Sequence, residues 1–590
     1  MIVKMNKVTI LVSGKHRDFA LEKLRKLGVL HIKNINNPLS EDIQSLESKL
    51  ENVEKTLQII GDPENQKLLT DIENIQSEID LILEHQHNKE NLQRELAEQK
   101  EIHRWFEKWG AVSYNSIQQL KNAGIYIRFY IADKNFLKNL PEDKIFHVAK
   151  EKQNVIYLAL FSESPEEKLD LREEPIPPVE LVELENKISQ LNDEINLLED
   201  AIESFSSIRN GILEYQTDLK SRLQLNLVKY GMGEEGEIAY LSGFCPVDLV
   251  PEIKKQAEAD GWGYMIETPE NPGEVPTLTR NPKWIRIIKP LFEFMGTLPG
   301  YNEQDVSFVF LAFFSIFFAM IVGDAGYGLV FLFATFFISR KNKQGSKDFF
   351  YLMYFMSSVT ILWGLITGTW FGAERISQLP FLKIFIVDEI YSFNPDSSDF
   401  IMKLTFIIGV VQLSVGRLMS AFRRINSMTA IAELGWVLVL WAVYFIANNI
   451  VLGKEMSGLT MPLFISGVVL ILLFANFQKN IIKGVLATLG NLPLDIISSF
   501  SDIVSYIRLY AVGLATVIVA TNFNSMAIGA GIDSVVSGVI AAVVLLLGHS
   551  INLALCGMSI LVHGVRLNLL EFSGHVGVQW TGSPYQPFKE

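Results

Sequence analysis

Apolar stretches long enough to cross the roughly 30 Å hydrocarbon core of a bilayer recur from Asp305 to the C-terminus, whereas the residues before them alternate short strand-like and helix-like patterns. The apolar stretches are Ser307 to Ile338, Phe349 to Phe371, Ile401 to Met419, Ile431 to Ile450, Leu459 to Phe477, Pro493 to Asn522 and Val535 to Phe572. The first would measure about 48 Å as one helix, and Gly323-Asp324-Ala325-Gly326 divides it into two short spans. Two crossings there place the basic loop from Arg340 to Lys347 on the side of the N-terminal half, and the positive-inside rule selects that arrangement. The count is then eight crossings with both termini inside. Arg340, Lys341, Lys343, Lys347, Arg423, Arg424, Lys479 and Lys483 fall in inner loops, against Arg375, Lys383 and Lys454 in outer ones. The last two segments, about 30 and 38 residues, would make roughly 45 and 57 Å, so they must tilt, kink or protrude.

In the N-terminal half, Val8 to Val12 reads as a strand, Asp18 to Leu27 as a helix and Gly28 to Ile32 as a strand. Ile43, Leu46, Leu50, Val53, Leu57 and Ile60 alternate steps of three and four, as do Leu181, Leu184, Ile188, Leu191, Ile195, Leu198, Ile202 and Phe205. Such a narrow seam is that of a coiled coil. Between the two lie strand-like runs at Ile125 to Ile131 and Val155 to Phe161, and after them Glu237 to Phe244, Leu249 to Ala259 and Gly263 to Ile266 read as strand, helix and strand. The expected architecture is an α/β cytosolic domain over residues 1–290, a dumbbell of two α/β heads joined by an antiparallel coiled coil. An α-helical polytopic membrane domain occupies residues 291–590, its last two helices long and tilted.

Charge sharpens this division. Residues 1–285 carry 34 Lys and Arg against 49 Asp and Glu, net −15, while residues 286–590 carry 18 against 17, net +1. An acidic soluble half argues against nucleic acid and anionic lipid as its partners. Cys245 and Cys556 fall in different halves, which leaves no disulfide framework and no cysteine-based metal site. The opening MIVKMNKVTILVSGKHRDF lacks the apolar core of a signal peptide, so the soluble half is expected in the cytoplasm. Gly14-Lys15 is followed by His16 and lacks the upstream glycine of a phosphate-binding loop; neither nucleotide hydrolysis nor a cofactor is expected of this chain. His85 and His87 show no metal-ligand spacing and read as surface residues.

The chemistry concentrates in the last two apolar segments. Arg508 sits in SDIVSYIRLYAVGLATVIVA and Arg566 in GMSILVHGVRLNLLEF. A guanidinium near the middle of a spanning helix costs roughly 3 kcal/mol on insertion scales, so such residues mark function. With few carboxylates in sight at that depth, the pair implies an anion supplied by another subunit. Ser501 and Ser505 precede Arg508 on or near its face; Ser559 and His563 stand seven and three residues before Arg566. Asp495 lies about 20 Å from Arg508 along the helix, toward the inner surface. Asn552 and Cys556 lie on the outer side of Arg566. Polar trails on opposite sides of a fixed cation make two half-channels that do not meet. Glu374, Glu433 and Glu571 are further carboxylates for such a path, with Glu571 preferred.

At these residues the chain resembles the stator subunit of rotary V-type and A-type ATPases, called subunit a in eukaryotes and subunit I in bacteria and archaea. The resemblance is carried in order by PTLTRNPKWIRIIKPLFEF from Pro276, IFFAMIVGDAGYGLVF from Ile316, LWGLITGTWFGAE from Leu362, SYIRLYAVGLA from Ser505, HGVRLNLLEFSG from His563 and the terminal YQPFKE. It implies that Arg508 is the stator arginine and Arg566 its companion. It further implies that Asp495 belongs to the cytoplasmic half-channel and Ser559 to the outer one. Two departures stand in the outer path, Thr516 where eukaryotic members carry histidine and Cys556 where they carry glutamate. The implied partners are a rotor ring bearing an ion-binding carboxylate and peripheral-stalk proteins at the cytosolic half. The implied ion is H⁺ or Na⁺, and the implied membrane a prokaryotic plasma membrane. The competing reading, a secondary transporter or channel with a cytosolic regulatory domain, calls for a substrate site within one chain, often built from inverted repeats; no convincing repeat stands out among the eight spans.

Overall fold

A computed structural model of the chain describes residues 1–61, 75–133, 136, 144–152, 155–342, 345–476, 481–529, 531 and 534–589. Lys343, Lys479 and Phe477, used above in the loop and span assignments, lie outside the described residues. The chain forms two compact units, one made of Met1–Ile10, Leu27–Ile32 and Ser242–Lys589, the other of Leu11–Lys26 and Lys33–Leu241.

In the second unit the heptad runs form helices Glu41–Ile59, opened by Ser40, whose hydroxyl accepts from the Ile43 amide, and Leu181–Ser204. Their main partners differ from the expected hairpin. Leu181–Ser204 packs along Ile75–Trp109, and Glu41–Ile59 along Arg209–Gly231. Helix Ile75–Trp109 is mostly polar, and it buries only Ile75, Ile79, Ile82, Leu96 and the aromatic group Trp105, Phe106 and Trp109. A stripe that sparse is hard to see by periodicity, which is why the partner escapes a reading of the sequence. Val53, Ile79, Ile82, Ile202, Ile212 and Leu219 form one apolar seam. An antiparallel sheet in the order Ile145–Lys152, Val155–Ser162, Tyr126–Asp133, Glu173–Glu174 packs Phe129 edge-on to Trp105 and Trp109.

The other sheet runs in the order His31–Lys33, Ile238–Pro246, Met5–Ser13, Gly263–Glu267, and the helix Val250–Asp260 precedes the last of these strands as the sequence predicts. Near it the C-terminal tail is tied down by backbone and side-chain bonds. The Tyr585 hydroxyl donates to the Val29 carbonyl at 2.6 Å, the Phe588 amide to the Leu30 carbonyl at 2.8 Å, and the Gln586 amide to His31 Nδ1 at 3.1 Å. Burial pushes His31 below its ordinary value of 6.5, and the Gln586 carbonyl, 3.0 Å from the same ring nitrogen, opposes this in part by accepting from the protonated ring. A base with a lowered folded pKa binds protons more readily unfolded. Stability from this latch is therefore full above pH 6.5 and is lost as pH falls through the folded value. Amide protection at Phe588 is expected to drop between pH 7.5 and 5 by hydrogen exchange; equal protection across that range removes His31 from the latch.

Among the described residues five helices are long and apolar enough to cross a membrane: Lys347–Thr367, Ser397–Arg423, Thr429–Leu452, Ile482–Ile528 and Val535–Val576. A sixth element is the bent pair Ser307–Val322 and Ala325–Lys341, turned by 116° at its break, and Thr460–Phe474 is a shorter apolar helix. The break has a clear cause. Gly323 takes φ +68°, and the Asp324 carboxylate accepts from the amides of Tyr327, Phe371 and Gly372 at 3.2, 2.8 and 2.9 Å, capping the second helix. Ile482–Ile528 and Val535–Val576, 47 and 42 residues long, exceed the predicted lengths. Neither is a uniform α-helix. The first carries Pro493 and tightens at Tyr506, where the Tyr506 amide bonds to Ile503 and the Leu509 amide to Tyr506. The second widens into π-helix at Ile560–Gly564 and again at Leu567–Phe572. Close approach of Ser307–Val322 to the Arg508 helix depends on Gly513, since a Cβ there would stand 2.4 Å from the Met320 carbonyl oxygen.

Candidate functional site

The two irregular helices bring Arg508, Arg566, Ser505 and Glu571 together. Arg566 and Glu571 are five residues apart, a spacing that on an α-helix separates side chains by about 140° around the axis. The π segment Leu567–Phe572 widens the turn and returns Glu571 to the side of Arg566. Glu571 Oε1 lies 3.7 Å from Arg566 Nε and 3.5 Å from Arg508 Nη2, and it accepts from the Ser505 hydroxyl at 2.8 Å. Arg508 Nη2 also donates to Ser505 Oγ. The side chain of Glu571 is 6% exposed, that of Arg508 28% and that of Arg566 53%. The anion is therefore enclosed and the cations open outward, with a formal charge of +1 over the three groups.

This arrangement corrects the inference that the arginines lack an anion within the chain, because Glu571 is that anion. A reading at α-helical period turns its side chain away from Arg566, and only the π geometry turns it back. Glu571 Oε2 and His563 Nδ1 are buried without a hydrogen-bond partner among the described residues. The wall behind the cluster is a chain of neutral groups. The Tyr506 hydroxyl donates to Gln412 Oε1 at 2.7 Å, and Gln412 Nε2 donates to Asn568 Oδ1 at 2.8 Å. Asp495 stands outside the cluster on an exposed face of its helix. Ser559, half-buried, ends the α-helical stretch before the first π segment, so its seven-residue spacing no longer returns it to the face of Arg566.

Two further polar networks flank the cluster. One joins Asp502, His575, Arg417 and Glu433. His575 Nε2 lies 3.0 Å from Asp502 Oδ2, Arg417 Nε donates to His575 Nδ1 at 2.9 Å, and Arg417 Nη1 pairs with Glu433 Oε2 at 3.1 Å. An arginine N–H can only donate, so the neutral ring carries its proton on Nε2. Glu433, expected as a path carboxylate, also pairs with Arg424 at 3.6 Å and accepts from Ser420, while the Arg417 guanidinium covers the Trp436 ring. Glu374 is exposed at the start of a short helix, apart from these groups. Arg417 carried a visible signal, a lone arginine inside the predicted span Ile401 to Met419, that loop-charge counting passes over. The other network contains Tyr327, His549, Asn524, Asn552 and Thr516. Its members come from three separate helices, and beyond His549 and Asn552, three apart on one helix, no spacing in the sequence links them.

A chain whose described residues include five helices long and apolar enough to cross a bilayer, with charged groups gathered among them, has the make-up of a multi-pass membrane protein. Relatives define which. The chain is 31% identical to the V-type ATP synthase subunit I of Borreliella burgdorferi, with all of both chains covered. It is 28% identical to V-type ATP synthase subunit I 1 of Treponema pallidum, again over the whole of both. To the A-type ATP synthase subunit I of Methanocaldococcus jannaschii it is 25% identical, over 76% of this chain and 74% of that one. No family model matches. A crystal structure of the cytoplasmic N-terminal domain of subunit I, homolog of subunit a of V-ATPase, aligns with 44% of this chain and 99% of its own at TM-score 0.23 and 13% identity; the assignment rests on the sequence relatives. The chain belongs to the subunit I family of V-type and A-type ATP synthases.

Proposed function

We propose that this chain is the non-catalytic stator of the membrane sector of a rotary V/A-type ATPase, coupling ATP hydrolysis or synthesis to ion translocation against a rotor ring. The observation that carries this reading is the +1 cluster, in which Arg508 and Arg566 share one enclosed carboxylate and keep their own exposed sides outward. A rotor carboxylate crosses lipid in its neutral form, because an ionised one costs several kcal/mol there. On reaching Arg508 it becomes stable as an anion, gives up its ion, and brings the cluster to neutrality. Guanidinium stays protonated, so Arg508 passes no proton itself and separates the two half-channels. Glu571 and Ser505 hold the guanidinium in place between visits. His563, with an unpartnered Nδ1, faces the same path, and Asp495 and Ser559 mark its inner and outer mouths.

In this reading the eight apolar helices are eight crossings with both termini in the cytoplasm of a prokaryotic cell, and residues 291–590 form the ion-translocating domain. Residues 1–290 form the dumbbell-shaped part, whose coiled-coil helices bind peripheral-stalk proteins and hold the stator against torque. A decisive test compares the chain alone with the whole complex in liposomes. Alone it is expected to move neither ions nor organic solutes, while the complex supports ATP-driven ion uptake. Saturable transport by the purified chain would instead establish a secondary transporter.

A further inference from the structure

The network around Tyr327 has a fixed direction. Asn552 Nδ2 donates to the Thr516 carbonyl and to the Tyr327 hydroxyl, both at 2.9 Å. Asn524 Nδ2 donates to the Phe371 carbonyl at 2.7 Å. A backbone carbonyl only accepts, so both amide orientations are set by the main chain. Tyr327, already an acceptor, points its own hydrogen at His549 Nδ1, 2.7 Å away, and His549 Nε2 then donates to Asn524 Oδ1 at 3.1 Å. The hydroxyl-bearing residue and Asn552 are each 1% exposed, whereas His549 is half-buried. The Thr516 hydroxyl and the Cys556 thiol, at hydrogen-bonding distance of 3.5 Å, stand at the arginine end of this network along their helices. The charged group facing His549 is Asp324, on the neighbouring helix break; Tyr327 is the other titratable group, and Phe371 packs edge-on against the ring.

Resting on the stator reading above, we infer that His549 is a proton relay of the outer half-channel, with Tyr327 as its inner donor and Asn524 as a positioning residue. The step is balanced. Water on the inner side of Tyr327 gives a proton to its oxygen as the hydroxyl hydrogen passes to His549 Nδ1. The imidazolium then releases its Nε2 proton, freed from Asn524, to water at its open edge, and the Nδ1–H tautomer left behind resets by exchange with that water, Nε2 taking up one proton as Nδ1, turned to the open edge, gives one up. One proton enters and one leaves.

The test uses the whole complex in sealed vesicles, following ATP-driven acidification with a pH dye and ²²Na⁺ uptake in parallel. His549→Gln keeps a donor and an acceptor and so preserves a structural role, but it does not titrate. At equal assembly it is expected to slow acidification about tenfold and to flatten its dependence on pH at the outer face; Tyr327→Phe is expected to slow it similarly. Wild-type rate and pH profile in His549→Gln, or ATP-driven ²²Na⁺ uptake that persists with a protonophore, overturns the inference. Arg508→Ala separates the levels. If it stops transport while His549→Gln does not, the relay alone falls, and if coupled transport survives Arg508→Ala the stator reading falls with it.

Discussion

Arg508→Ala is expected to abolish ATP-driven ion uptake by the assembled complex, to below about one part in a thousand of the wild-type rate. The magnitude follows from electrostatics. An ion pair at about 4 Å in surroundings of effective dielectric near 20 is worth about 4 kcal/mol, which on a rate-limiting deprotonation is on the order of a thousandfold. Without the guanidinium, a rotor carboxylate facing this chain keeps its ion, and rotation carries the ion round without exchange. Arg566 is not expected to substitute for Arg508, since its side chain is 53% exposed and pairs with Glu571 through Nε at 3.7 Å. Arg508→Lys keeps a charge yet lacks the planar fork, and an ammonium deprotonates when desolvated, so this variant is expected to leak protons across the barrier. Uptake is measured in vesicles with complex assembly matched by subunit content. Coupled transport retained by Arg508→Ala would return the residue to a structural role.

Glu571→Ala has the second largest expected effect, and it acts on stability. It leaves two guanidiniums close together with Ser505 and His563 as polar neighbours among the described residues. Removing one member of a buried ion pair typically costs about 3–5 kcal/mol; the partial exposure of both arginines lowers that to about 1–3 kcal/mol here. The expected result is a lower thermal inactivation temperature of the detergent-solubilised complex. In the double variant Arg508→Ala with Glu571→Ala the loss should be smaller than the sum of the two single losses, because the variants share one interaction. Strict additivity would mean that the 3.5 Å pairing of Arg508 with Glu571 carries no energy.

Much of this architecture is legible along the chain. The strands Met5–Ser13, Tyr126–Asp133 and Val155–Ser162 and the helix Leu181–Ser204 fall where strand-like apolar runs, alternation and heptads place them, since burial imposes its own pattern on the sequence. The pairing of the heptad helices is not legible, because helix Ile75–Trp109 spreads a few apolar residues over a long polar surface. Arg508 and Arg566 announce themselves because a charge in an apolar run is expensive and therefore rare. Glu571 is visible as a residue but not as their counter-ion.

By itself the sequence determined the division into an acidic mixed half and an apolar helical half, the break at Gly323-Asp324, and the two arginines, all through local period and the cost of charge in lipid. Tertiary structure alone decided that the arginines share one carboxylate. It also decided that Arg417 and Glu433 pair with each other, and that Tyr327, His549 and Asn524 line up as one directed chain. The reason is physical. Each of these depends on a departure from α-helical period or on side chains from distant helices meeting in space, and neither leaves a spacing to be read.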